Sequence, residues 1–226
     1  MKYSDSDLNI IFEDNHLICV EKPFGLLTQP TEGSSEDLET LTKIYLQKKY
    51  QKPKAFLSPI HRLDKAVGGL VLFAKTSKAL SRMNEKMRNQ EIIREYRAVV
   101  EGELEPKQAT LSHYLVKLEH KAKVFDQPKP GAKLAELEYR CKRSNSKASE
   151  MIINLITGRY HQIRAQFSHI GHPIIGDEKY HSKITCTHIC LFAKALTFKH
   201  PVTQKKISLN IKIPDRFYPK IFIPVK

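Results

Sequence analysis

Long apolar runs are missing from this chain. No stretch approaches the roughly 18–20 uninterrupted apolar residues that a membrane-spanning helix needs. The opening residues, MKYSDSDLNIIFED, hold no apolar core of the kind a secretion signal carries. A cytoplasmic location without membrane association is the expectation. Cysteine is sparse: Cys19, Cys141, Cys186 and Cys190 are four in 226 residues and show no framework spacing, so a reducing compartment without disulfides is expected. Neither GxxxxGK[ST] nor GxGxxG occurs, which removes local support for nucleotide or dinucleotide binding, and without GxSxG there is no signal for a serine hydrolase. Internal repeats, low-complexity tracts and linkers are also lacking. Residues 1–226 are therefore expected to form one domain, and 41% apolar residues suffice for its core.

Acidic side chains are scarce beyond residue 40. The whole chain carries 38 Lys and Arg against 24 Asp and Glu, a net +14. Residues 1–40 hold two basic and nine acidic side chains, a local −7, so residues 41–226 hold 36 against 15, an excess of +21. Such a field favours a polyanion, nucleic acid above all. Residues 120–147 concentrate eight lysines and arginines against three acids, a stretch suited either to a phosphate backbone or to a solvated hairpin.

Periodicity gives a strand-rich plan. NIIFEDNHLICVEKPFG reads as two short strands around a turn, residues 34–50 as a helix, and LVLFAK as a strand launched by Gly68 and Gly69. TSKALSRMNEKMRNQ follows as an amphipathic helix, with Leu80, Met83 and Met87 on one face and a basic outer face. REYRAVVEGEL, ATLSHYLVKL, LAELEYRCKR and SEMIINLIT read as successive strands, and HICLFAKALTF and KISLNIKIP close the chain. Between them, Ile163, Phe167 and Ile170 mark a buried helix face that Gly171 and Pro173 stop. His161, Arg164 and Ser168 fall on a second face, from which Arg164 is expected to point away from the core. The fold class expected is α+β, with a mixed, mainly antiparallel sheet flanked by helices and loops.

Two clusters have residue types suited to chemistry. CTHIC places Cys186, His188 and Cys190 on one face of an expected strand. No second ligand pair stands near them in sequence, so half-buried strand residues are favoured over a metal site and no metal is expected. HRLD, residues 61–64, stands immediately before the glycine pair. Asp64 there either caps a turn through backbone N–H groups or serves as a nucleophile or base; Arg62 or Arg164 would hold it ionised in the second case. No second carboxylate accompanies Asp64, which weighs against a glycosidase. His61 reads as a packed or hydrogen-bonded turn histidine, and Tyr96, taken alone, as a strand tyrosine on a core edge.

HRLDKAVGGLVLFAKT and TGRYHQIRAQFSHIGHPIIGD together resemble the RluA family of RNA pseudouridine synthases, and IIFEDNHLICVEKPFGLLTQP and REYRAVVEG are similar to further segments of that family, in the same order along nearly the whole chain. The resemblance implies a catalytic domain alone, because only about nine residues precede the opening segment where the family's S4 RNA-binding domain usually stands. It implies a cofactor-independent isomerisation of uridine to pseudouridine in structured RNA, ribosomal or transfer, with RNA as the partner. Asp64 matches the catalytic aspartate, as nucleophile at C1′ or base at C2′. Arg164 matches the arginine paired with it, Tyr96 the active-site tyrosine, and Arg62 the residue that enters the stack when the target base flips out. The chain departs from the family's pattern at Ala66–Val67, Tyr160 and Phe192, positions that bear on substrate choice and turnover. A protein that keeps the fold only to bind RNA or assist ribosome assembly is the alternative. The identity of the target uridine and the oligomeric state stay open, with a monomer as the default.

Overall fold

The computed structural model describes residues 3–32 and 36–222. Eleven strands and three α-helices are found among them, and the chain divides into two compact units, Met1–Ile92 with Ala193–Ile211, and Ile93–Phe192 with Lys212–Lys226.

In the first unit, β1 (Asn9–Glu13) and β2 (Leu17–Lys22) form the expected hairpin, and β2 pairs antiparallel with β4 (Gly68–Ala74). A two-residue β3 (Ser58–Pro59) pairs the same strand from Ser58↔Ala74 to Pro59↔Phe73. Every residue of β4 is buried, as an unbroken apolar run requires when both faces of a strand are covered. Gly69 is obligatory in this strand. At φ +116° its missing Cβ would stand 2.2 Å from the carbonyl oxygen of Ala193, so only glycine admits that backbone. Ala193 lies in β10 (Leu191–Lys199), whose far end pairs antiparallel with β11 (Lys206–Asn210).

Two helices belong to this unit. The first, α1 (Leu38–Tyr50), starts where Asp37 accepts the Thr40 N–H at 2.9 Å; residues 34 and 35 of the expected helix lie outside the described residues. The second, α2 (Ser77–Arg88), is capped by Thr76 and buries Met83 completely. On its basic outer face Arg82 donates to the Pro201 carbonyl and Lys86 pairs with Glu91.

The second unit is an antiparallel sheet in the order β5 (Ile93–Glu101), β9 (Ala148–Leu155), β8 (Lys133–Asn145), β6 (Gln108–Lys117), β7 (Ala122–Phe125). The last of these is a four-residue strand too short to stand out in a lysine-rich stretch. Against the sheet lies α3 (Gln162–His169), which buries Ile163, Ala165 and Phe167. Gln166 fastens it by donating to the Ala135 carbonyl at 3.0 Å. The helix ends where Gly171, at φ +84°, turns the chain and the His172 N–H reaches the Phe167 carbonyl, the glycine stop expected from the sequence.

Two local expectations are corrected. Residues 186–190 form no strand; they lie in a coil folded against Ile174–Gly176, and β10 begins only at Leu191. His161 is not on a helix face but precedes the helix in a left-handed conformation, φ 53°.

Candidate active site

The segment between β3 and β4 holds Arg62 and Asp64, and its anchoring explains why they stand where they do. His61 Nε2 accepts the N–H of Leu72, continuing the ladder begun by the Ile60 N–H and the Leu72 carbonyl. Leu63 is held at both ends of its peptide by one hydroxyl: Thr28 Oγ1 accepts its N–H at 3.1 Å and donates to its carbonyl at 2.8 Å. The Lys65 carbonyl accepts from Lys22 Nζ at 3.2 Å and from the Gly25 N–H at 2.9 Å. Anchors thus fall on Ile60, His61, Leu63 and Lys65, fixing the backbone on both sides of Arg62 and Asp64. Leu63 is buried, whereas Arg62 is exposed and Asp64 partly so. A backbone turn from the Val67 N–H to the Asp64 carbonyl, 3.0 Å, then leads into the glycine pair.

Lys22 is the residue that sequence reading undervalued. It ends β2 opposite Gly69, is completely buried, and points its Nζ at the carbonyls of Pro23, Leu26 and Lys65 at 3.1, 2.6 and 3.2 Å. Three acceptors match the three N–H bonds of an ammonium. Burial pulls its pKa down to about 7, and the Asp64 carboxylate opposes that fall. Lys22 therefore ties the 23–26 turn to the loop carrying Asp64 and brings positive charge beneath it. The signal available in the sequence was a lone lysine ending an apolar strand, which is also what a strand edge at the surface looks like.

Tyr96 and Arg164 belong to the second unit. Tyr96 sits on β5 opposite Ile153 and is 6% exposed, so its ring is embedded in the sheet. Two residues earlier on the same strand, buried Arg94 donates through NH2 to the carbonyls of Leu155 and Ile156, both at 2.9 Å. Its NH1 lies 2.8 Å from where a Cβ on Gly158 would be, so Gly158 makes room for it. Arg94 thereby orders the turn that enters α3.

Arg164 does not point outward. Residues 162–167 are all buried, and Arg164 lies inside with Asp177, Nε to Oδ2 at 2.7 Å and NH2 to Oδ1 at 2.8 Å, its guanidinium 5.1 Å from the centre of the Tyr180 ring. The expected outward face fails because Asp177 and Tyr180, beyond the helix end, close over it. The Tyr180 hydroxyl accepts the Ala122 N–H at 2.7 Å and stands 3.0 Å from His161 Nδ1, fixing the residue that opens the helix. Tyr160 stacks on that imidazole with ring centres 3.8 Å apart and is 37% exposed, with Lys117 Nζ 5.2 Å from its centre.

Comparison with known proteins gives this arrangement its class. The family described as RNA pseudouridylate synthase matches residues 16–169, a span that includes Asp64, Tyr96 and Arg164. The dual-specificity RNA pseudouridine synthase RluA of Pasteurella multocida is 32% identical over 214 residues, covering 92% of this chain and 94% of that protein. The tRNA pseudouridine synthase C of Haemophilus ducreyi is 30% identical over 93% of each chain. Among solved structures, human RNA pseudouridylate synthase domain containing 4 shares the fold, with a TM-score of 0.79 over 92% of this chain and 90% of that one at 20% identity. The chain belongs to the RNA pseudouridine synthases, a class of isomerases, and within them to the RluA family. No helix among the described residues is long and apolar enough to cross a membrane.

Proposed function

We propose that residues 1–226 act in the cytoplasm as one catalytic domain that isomerises specific uridines in structured ribosomal or transfer RNA, with Asp64 as the group that acts on the sugar. The observation that carries this reading is the anchoring of the 61–65 segment at His61, Leu63 and Lys65, which fixes the backbone that bears exposed Arg62 and half-buried Asp64. A preorganised carboxylate on a rigid loop is what a positioned nucleophile or base requires. The relatives' names supply the substrate class: one is dual-specific for RNA, and another acts on tRNA.

The reaction breaks the bond between N1 of uracil and C1′ of the ribose, turns the base, and joins C5 to the same carbon. The C5 proton leaves and N1 gains one, so atoms and charge balance without an external group. In this scheme Asp64 acts at C1′ or at C2′, and Arg164 supports its charge. Asp177 holds that guanidinium through Nε and NH2, which fixes its plane. Tyr96 packs against the uracil while its hydroxyl relays the C5 proton, passing on its own proton as it receives that one. A uridine inside folded RNA reaches the carboxylate only after flipping, which costs a few kcal/mol. Exposed Arg62 enters the vacated stack.

The test is pseudouridine mapping of RNA from a strain lacking the gene, complemented with wild-type protein or Asp64→Asn. The wild type restores a missing site. The Asn variant restores none, yet binds the RNA with equal or higher affinity because a negative charge beside the backbone is gone. Restoration by Asp64→Asn removes Asp64 from this role, and an unchanged map in the deletion strain argues for the non-catalytic alternative.

A further inference from the structure

We propose that Cys186, His188 and Cys190 form a zinc site that clamps the loop ahead of β10. The two sulfur atoms stand 3.8 Å apart, and both lie within 4.8 Å of a ring nitrogen of His188. A tetrahedral zinc with Zn–S bonds of about 2.3 Å holds its sulfur ligands about 3.8 Å from each other, so the pair already has the edge length of the coordination polyhedron. Two thiolates and an imidazole are the donor set that selects zinc over magnesium or calcium.

Interactions that owe nothing to a metal hold the ligands there. Gly176, at φ +81°, has no Cβ; one would fall 2.2 Å from the His188 carbonyl oxygen and 3.0 Å from the Cys186 Cβ, so the close approach of the 186–188 coil depends on that glycine. The Gly176 N–H reaches the Ile184 carbonyl, and the Cys190 N–H reaches that of Ile175. At the loop's start, Glu101 Oε1 accepts from Ser182 Oγ and from the N–H groups of Lys183 and Ile184. Thr187 Oγ1, 3.0 Å from His188 Nδ1, fixes the rotation of the imidazole. Cys190 is buried and Cys186 and His188 are half-buried; three protein ligands leave a fourth position for water or another donor. Binding one Zn²⁺ releases the two thiol protons and leaves a centre with no net charge.

The second cluster of this kind, His113, Asp126 and His169, is weaker. Gln166 Nε2, already donating to the Ala135 carbonyl, also points at His113 Nδ1 at 3.0 Å, which places the ring proton on Nε2, the atom that faces Asp126. At 3.8 Å that contact is too long for a hydrogen bond, and the Asp126 oxygen is already engaged by His169 Nε2 at 2.8 Å, so both ring and acid are spoken for by protein partners.

The zinc supplies no step of the isomerisation; it closes the loop that also carries Asp177. Chelator-treated, reduced protein titrated with Co²⁺ should develop thiolate-to-cobalt absorption that saturates at one equivalent and disappears on adding Zn²⁺. Zinc at about a hundred times its dissociation constant should raise the melting temperature by about 5–10 °C. Cys186→Ser and His188→Gln, at half-buried positions, should lose the absorption and the shift while keeping RNA affinity. Absence of thiolate–cobalt absorption in fully reduced protein overturns the site, as does absorption that persists unchanged in Cys186→Ser. A Cys186–Cys190 disulfide in protein that binds no cobalt once reduced overturns it equally.

Discussion

Arg164 and Asp177 form a side-on, two-point ion pair with both side chains almost fully buried, 6% and 1% exposed. The pair fixes the plane of the guanidinium and makes Asp177, thirteen residues away in sequence, a determinant of where Arg164 can point.

Asp177→Asn keeps the shape but removes the charge. Breaking one side of a buried pair leaves the other uncompensated, so unfolding in urea should show a loss of about 3–5 kcal/mol. Loss below about 1 kcal/mol, the range of an exposed pair, would show that water reaches the site.

Tyr96→Phe separates ring from hydroxyl. The ring is embedded in β5, and phenylalanine preserves its packing, so the melting temperature and RNA binding should hold. Product formation should fall by about 10²–10⁴-fold, as for a lost acid–base group. Wild-type turnover would make Tyr96 a wall of the pocket, and a matching loss of stability would make it a core residue only.

Lys22 predicts a pH dependence. Its pKa in the folded protein, about 7, lies below the ordinary 10.5. Between these values the unfolded chain binds more protons, so its contribution to stability grows as pH rises from 7 towards 10. The difference in unfolding free energy between wild type and Lys22→Met should therefore shift in favour of the wild type over this range. A flat difference would mean that the three carbonyls keep the ammonium protonated throughout.

RNA affinity should fall steeply with salt, since residues 41–226 hold an excess of 21 positive charges. About six phosphate contacts predict a loss of about 10³-fold between about 50 and 200 mM salt. A response within a few-fold would place recognition on uncharged contacts instead.

What the sequence determined by itself was local and periodic. The β1–β2 hairpin, the buried run of β4, the capped α2, the glycine stop after α3 and the antiparallel strands of the second unit follow from apolar spacing and turn chemistry, and four motif segments in order were enough to indicate the family. Tertiary structure decided which polar groups meet. Lys22 became a clamp beneath the Asp64 loop because three carbonyls from two separate turns converge on one buried ammonium. Arg164 was turned inward by an aspartate beyond the helix end, where helical spacing alone placed it outward. Cys186, His188 and Cys190 converge in a coil that only Gly176 permits, although their alternation in sequence reads as a strand. Periodicity reports which side of an element is apolar; it carries no information about which distant backbone or side chain fills the space on that side.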